Sequence, residues 1–183
     1  RKEVKALINT FRKENKFIDN GKHILAGWYE STLKLLKIIN AETNFHFSDG
    51  LYIKYLEENG KIETLDFTKF PVPLNFIYGL FKTNIFNLKE KYFLLVAFSK
   101  IIKIKKNGDS NLEEYLSKLK QTDNLRKYFW KPFIISAFNS LPKNISLNIF
   151  ANVIKKGLKQ KKGSSLIIPK YDLYTSLLLP IEK

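Results

Sequence analysis

Short runs in which apolar and polar residues alternate dominate the first 72 residues, and this period of two is typical of β-strands. Strands are predicted at residues 4–10, 17–18, 45–47 and 51–57, with 61–67 as a hairpin partner. The hairpin turn is Asn59-Gly60, since both residues tolerate positive φ. A helix is predicted at residues 27–39.

From residue 74 onward, apolar residues recur every three or four positions, which predicts helices. Helices are expected at residues 74–82, 88–105 and 122–139. Another helix is expected to begin at a capping box formed by Ser110 and Glu113. A further helix is expected from Ser146, with one apolar stripe made of Leu147, Phe150, Ala151, Ile154 and Leu158. A strand at 164–169 and a helical turn capped by Asp172 follow. The pattern predicts an α+β fold, an antiparallel sheet and hairpin with a helical layer. We expect one partial domain, strand-rich over 1–72 and mainly helical over 73–183.

Residues 128–139, with the sequence YFWKPFIISAFN, are the most aromatic stretch of the chain. Phe129, Phe133 and Ala137 share one helical spacing, and Trp130, Ile134 and Phe138 share another, so most of this helix is apolar. Such a helix is either buried in a core or forms one wall of a tunnel for a long hydrocarbon. Pro132 is expected to kink it, because proline lacks an N–H and clashes with the preceding turn.

The formal net charge of +15 favours anionic partners, nucleic acid or an anionic membrane surface, although an AT-rich coding sequence also produces many lysines. The aromatic residues lie in apolar helical runs and do not alternate with lysines on strands, so nucleic-acid binding is not expected. No apolar run reaches the ~20 residues that span a bilayer. We expect a cytoplasmic protein, with peripheral contact at the inner face of the cell membrane through residues 74–106.

Few residues of the chain carry the usual signatures of catalysis. It has no cysteine and two histidines, so neither a thiolate nucleophile nor a metal site is expected. G-x-S-x-G, G-x-G-x-x-G and P-loop motifs are missing from these 183 residues. The one polar cluster beside a turn runs from Asp19 to His23. It is either an ordinary loop or a turn that lets backbone approach a planar ligand closely.

Two separated blocks nevertheless resemble a known family. FIDNGKHILAGWYESTLKLLKIIN, from residue 17, resembles the D-N-G-x-H-x-x-x-G-x-Y…T-L-x-L-L segment of the squalene-associated FAD-dependent desaturases. FWKPFIISAFNSLP, from residue 129, resembles their F-W-x-P-x-x-x-x-A-x-N-x-x-P segment, and NIFANVIKKGL and SSLIIPKYDLYTSLL resemble the helix and strand that follow. Hydroxysqualene dehydroxylase is a member, within the wider phytoene desaturase and flavin amine oxidase superfamily.

The resemblance implies an FAD-dependent oxidoreductase of squalene biosynthesis that acts on a long-chain isoprenoid such as hydroxysqualene. It also implies that this chain supplies substrate-domain elements of a flavin amine oxidase-like fold. It places Asp19, Asn20, Gly21 and His23 near the flavin, and it places Trp130, Pro132, Phe133, Ala137 and Asn139 near the substrate cavity. It identifies no residue as catalytic. The alternatives are a phytoene or carotenoid desaturase and a non-catalytic isoprenoid- or lipid-binding remnant.

The chain departs from the family pattern at several points. Lys22 stands where the family often carries Gln, and neither the glycine-rich nucleotide fingerprint nor the second FAD-contacting segment lies within these residues. Without that fingerprint, no helix N-terminus is available for the FAD pyrophosphate. We therefore expect a central portion of a flavoenzyme that, by itself, binds FAD poorly and catalyses nothing.

Overall fold

A computed structural model describes residues 10–13, 16–19, 24–56, 60–105, 110–159, 163 and 165–182. It has an α+β architecture of small antiparallel sheets and helices, as the sequence pattern predicts. The chain forms two compact units, residues 1–51 with 162–183, and residues 52–161. In the described part, no helix combines the length and apolarity needed to cross a membrane. Of the strand predicted at 4–10, residues 4–9 lie outside the described residues.

The first unit is built on a three-stranded antiparallel sheet whose central strand comes from the end of the chain. Strands β1 (Thr10–Lys13) and β2 (Lys16–Asp19) precede this sheet in sequence and pair with each other in an antiparallel arrangement. Strand β7 (Leu166–Pro169) lies between β3 (Leu25–Ala26) and β4 (Phe45–Phe47). Helix α1 (Glu30–Ile38) covers a core of Leu36, Ala41, Phe45 and Ile167.

The second unit starts with the predicted hairpin of β5 (Tyr52–Leu56) and β6 (Ile62–Asp66). Helix α2 (Leu74–Lys82) packs on β6, and α3 (Leu88–Lys103) follows. These bounds confirm the predicted hairpin and both predicted helices. Asn87 and Glu90 form a reciprocal capping box that starts α3.

The remaining helices of the second unit are α4 (Leu112–Lys118), α5 (Asp123–Leu125), α6 (Lys131–Phe138) and α7 (Leu147–Lys159). The predicted cap of α4 was wrong by one residue. Asn111, not Ser110, accepts the Glu114 N–H through its side chain at 2.9 Å. Both residue types favour this position, so composition alone did not separate them. Thr122 caps α5, as expected for a helix beginning near residue 122.

Pro132 lies inside the helical run that was predicted to begin near residue 122, and this run departs from regular α-helical geometry directly before the proline. A π-helical turn at Arg126–Trp130 joins α5 to α6, and Pro132 is the second residue of α6. The same arrangement recurs in the first unit, where a π-helical turn at Tyr174–Leu178 precedes α8 (Leu179–Glu182), which contains Pro180. A wider turn before each proline accommodates a residue that has no N–H to donate.

Candidate functional site

Asp19, the one flavin-proximal candidate that the structure describes, is held by the C-terminal segment of its own unit. Its two carboxylate oxygens lie 3.1 and 3.0 Å from the backbone nitrogen of Leu173, which donates to them. The Thr10 hydroxyl also donates to Asp19, at 2.5 Å. The Asp19 carboxylate therefore joins the D-N-G-x-H motif to the start of the C-terminal helical turn.

That C-terminal turn is itself well capped. Asp172 accepts the backbone N–H of Thr175 at 2.9 Å and its hydroxyl at 2.7 Å, which confirms the predicted cap. Two backbone N–H groups in this turn thus have different acceptors, since the Leu173 N–H donates to Asp19 and the Thr175 N–H donates to Asp172. The segment 172–175 fixes where the end of β2 lies within its unit.

The other three flavin candidates, Asn20, Gly21 and His23, lie outside the described residues. Among the described residues, the donors close to Asp19 come from the protein itself, and no glycine-rich loop leads from a strand into a helix N-terminus where a pyrophosphate could bind. Asp19 anchors the end of β2, directly before the residues that the resemblance assigns to the flavin.

Trp130, the first substrate-cavity candidate, is a core residue of the second unit and only 1 % exposed. Its indole stacks on Phe98 with centroids 5.4 Å apart, and it meets Phe129 and Phe150 edge-on. Its Nε1–H donates to Oε1 of Gln121 at 2.7 Å. Because aromatic rings pack directly against the Trp130 indole, the buried part of residues 128–139 is better described as a hydrophobic core than as the wall of a tunnel.

The remaining substrate candidates are spread along α6 and are less buried. Phe133 packs against Phe129 at 6.1 Å and Phe150 at 6.0 Å, so it shares two neighbours with Trp130. Pro132 and Ala137 are half-buried. Asn139 is exposed and left-handed, with φ of 47°, and its N–H donates to the Ile135 carbonyl as α6 ends. The structure thus brings Trp130 and Phe133 together, while Asn139 terminates the helix.

A cleft of about 290 Å³ opens over Trp130 within the second unit. Its walls combine five charged and four apolar residues: Glu113, Asp123, Arg126, Lys127, Lys131, Leu116, Trp130, Leu141 and Pro142. Pockets for drug-sized ligands usually measure about 300–1,000 Å³ and are mainly apolar. This cleft lies just below that size range, and most of the surface that it exposes is apolar although charged residues line it.

Two residues that no sequence pattern singled out, Gln121 and Arg126, position side chains that line this cleft. Gln121 is buried, and besides accepting from Trp130 it donates to the carbonyls of Leu119 at 2.8 Å and Phe93 at 3.2 Å. Arg126 forms an ion pair with Glu113 and donates to the Ser117 hydroxyl at 3.1 Å. The only signal in the sequence was that a buried Trp needs a partner for its N–H.

The Glu90 carboxylate accepts hydrogen bonds from three different residues. It accepts from the Thr122 hydroxyl at 2.6 Å, the Asn124 amide at 3.1 Å and the Asn87 N–H at 3.1 Å. Burial raises the pKa of Glu90, but these hydrogen bonds outweigh burial and leave the pKa below its ordinary value. The carboxylate ties the start of α3 to the start of α5, a structural role.

Tyr55 reaches from the hairpin to the turn that precedes α6. Its hydroxyl donates to the Tyr128 carbonyl at 2.5 Å, and the two rings meet edge-on with centroids 5.8 Å apart. Burial raises the pKa of Tyr55, so the hydroxyl keeps its proton and remains a donor. Tyr55 thereby positions the segment that carries Trp130 and Pro132.

No protein-family model and no curated protein matches the chain. The family resemblance therefore depends on the two sequence blocks, and the function that it implies is a proposal.

Proposed function

We propose that this chain is the substrate-domain portion of an FAD-dependent oxidoreductase that acts on a long-chain isoprenoid, hydroxysqualene or a similar C30 compound. The proposal takes its chemistry from the family resemblance. FAD is the proposed cofactor, and the turn at residues 19–23 is the proposed flavin-proximal element. We further propose a location in the cytoplasm, at the inner face of the cell membrane.

The observation that carries the proposal is the contact between Asp19 and Leu173. Asp19 belongs to the D-N-G-x-H block and Leu173 to the final block, SSLIIPKYDLYTSLL, more than 150 residues later. In the same unit, β3 of the first block pairs with β7 of the last. Two motif segments that are distant in sequence thus meet in one compact unit, as expected if they serve one site.

The two candidate reactions differ in the direction in which electrons flow. Dehydroxylation replaces a C–O bond by C–H, releases water and consumes two electrons, which a reduced flavin supplies. Desaturation removes two hydrogens and passes two electrons to an oxidised flavin. Either reaction needs an apolar site, because burial stabilises a hydrocarbon chain by about 0.8 kcal/mol per CH2.

The test is anaerobic single turnover with the complete reading frame that contains this chain. Oxidation of the reduced flavin on addition of hydroxysqualene, together with formation of squalene, is the expected result. Reduction of oxidised flavin by phytoene would assign the alternative, a carotenoid desaturase. A protein that binds isoprenoid but neither binds flavin nor turns over would overturn the proposal in favour of a lipid-binding remnant.

A further inference from the structure

Helix α2 presents an apolar face to the outside of the second unit. Leu74, Ile77, Tyr78 and Phe81, here called the α2 stripe, have the i, i+3, i+4, i+7 spacing of one helix face. Their exposed fractions lie between 37 % and 56 %. Single exposed apolar residues are ordinary, but a contiguous apolar face on a surface helix indicates a binding partner.

The opposite face of α2 is fixed to its own unit. The Asn75 amide donates to the Phe67 carbonyl at 3.0 Å, and Leu80 is fully buried. At Gly79 the helix approaches the backbone of Asp66 so closely that an added Cβ would lie 2.9 Å from its carbonyl carbon. The helix therefore cannot turn its outer face inward without losing these contacts.

The C-terminal end of α2 is also held. Lys91 is buried, and its Nζ donates to the carbonyls of Phe81 at 2.9 Å and Thr83 at 2.7 Å. A cation at this position satisfies helix-end carbonyls and suits the helix dipole. The α2 stripe is thus displayed outward by a helix fixed along its inner face and at its end.

The segment around the stripe in sequence is basic and aromatic, although the Asp66 carboxylate just before it lies within electrostatic range of Lys82 and Lys69. Residues 67–89 contain no Asp or Glu, and their three lysines, Lys69, Lys82 and Lys89, are all exposed. Phe70, also exposed, meets the Tyr78 ring edge-on at 5.0 Å, and the Lys82 ammonium lies 5.8 Å from the Tyr78 centroid. Tyrosine rings and lysine stems are the side chains that occupy the boundary between lipid headgroups and acyl chains.

We propose that the α2 stripe inserts into the headgroup region of an anionic bilayer, with Lys69, Lys82 and Lys89 at the lipid phosphates. The inference rests on the proposed function, because an isoprenoid substrate is dissolved in the bilayer and the enzyme has to draw it from there. Charge complementarity selects lipid over a protein partner, since protein interfaces are depleted in lysine. A helix lying in this interface buries its apolar face by about 5–10 Å.

The test is co-sedimentation of the 183-residue chain with phosphatidylglycerol-containing vesicles and with purely zwitterionic vesicles. Ile77→Ser with Phe81→Ser removes the centre of the stripe, and Ile149→Ser, at a residue on α7 that is 57 % exposed, is the matched control.

In a second variant, Lys69, Lys82 and Lys89 are changed together to Gln. The matched control changes Lys118, Lys143 and Lys159, which are exposed on other elements, to Gln with the same loss of charge. Thermal unfolding verifies that each variant is folded.

The wild-type chain is expected to bind the anionic vesicles and to bind the zwitterionic ones much more weakly. Loss of the three stripe-flanking lysines should weaken binding about fivefold per lysine, and loss of the stripe should weaken it at least about tenfold. Both control variants should bind like wild type. Equal losses in the variants and their controls, or binding that ignores lipid charge, would overturn the proposal.

Two further results separate this inference from its alternatives. If the chain dimerises without lipid and Ile77→Ser with Phe81→Ser makes it monomeric, the stripe is a self-association surface and the membrane proposal is wrong. Turnover of the complete protein with detergent-dispersed substrate is measured on the same variants. If the stripe and lysine variants retain turnover and bind vesicles like wild type, only the membrane surface is wrong. If the complete protein binds vesicles but shows no flavin chemistry, only the proposed function is wrong.

Discussion

The Tyr55 hydroxyl donates to the Tyr128 carbonyl, the carbonyl whose α-helical partner would be the missing N–H of Pro132. The first unit repeats this solution. Pro180 leaves the Ser176 carbonyl without its partner four residues later, and the Asn44 side-chain amide donates to that carbonyl at 3.2 Å. In each case a side chain from an element distant in sequence replaces the hydrogen bond that a proline removes.

Tyr55→Phe should lower the free energy of unfolding by about 1–2 kcal/mol, because the Tyr128 carbonyl then lacks a donor in a partly buried place. Pro132→Ala restores an N–H to the helix, so the loss caused by Tyr55→Phe should be smaller in the Pro132→Ala background. Urea unfolding of the four proteins measures this coupling. Tyr115→Phe, at another half-buried tyrosine, is the control for removal of a hydroxyl. Equal losses in both backgrounds would exclude the compensation.

Asp19→Asn should weaken the anchoring of the C-terminal turn, since one neutral oxygen replaces two charged ones facing the Leu173 N–H. The expected loss is about 1–2 kcal/mol, because hydrogen bonds to charged groups exceed neutral ones. Amide hydrogen exchange by NMR should show faster exchange at Leu173. Asp49→Asn, at an exposed aspartate of the same unit, should leave that exchange unchanged. Unaltered exchange at Leu173 in Asp19→Asn would contradict the anchoring role.

Glu90 should make the protein sensitive to acid. Its folded pKa lies below the ordinary value, so its stabilising contribution is present above about pH 4.3 and disappears as the pH falls through the folded pKa. Glu90→Gln should cost about 1–3 kcal/mol near neutral pH, and the difference from wild type should shrink in acid. Denaturant unfolding at several pH values measures it, with exposed Glu114→Gln as the control. A difference independent of pH would show that the ionised form is not preferred.

Gly79→Ala should destabilise the second unit by about 1–3 kcal/mol, because the new methyl group would overlap the Asp66 backbone, which cannot move aside as a side chain could. Gly60→Ala provides the comparison. Gly60 has φ of 81° and open space around its Cβ position, so only backbone strain, roughly 1 kcal/mol, is expected. Thermal unfolding distinguishes the two effects, and a neutral Gly79→Ala would mean that α2 stands further from β6.

The sequence by itself determined the features that depend on neighbouring residues. Strand β5, strand β6 and helix α2 were predicted almost to their observed ends, because Asn59-Gly60 and the change of hydrophobic period are local signals. The Asp172 cap followed from the same kind of reasoning, whereas the Ser110 cap missed by one residue because its neighbour Asn111 is an equally good acceptor. The α+β class followed from the order of these elements.

Only the tertiary structure decided which distant segments meet. The pattern predicted a strand at 164–169, but its place between β3 and β4 depends on pairing across more than 100 residues. Likewise, α2 is apolar nearly all round in the sequence, and only the close approach of Gly79 to β6 decides that Phe81 faces outward. The period of apolar residues along the sequence indicates whether a segment forms a helix or a strand. The surface against which each face packs is decided only when folding brings distant elements together.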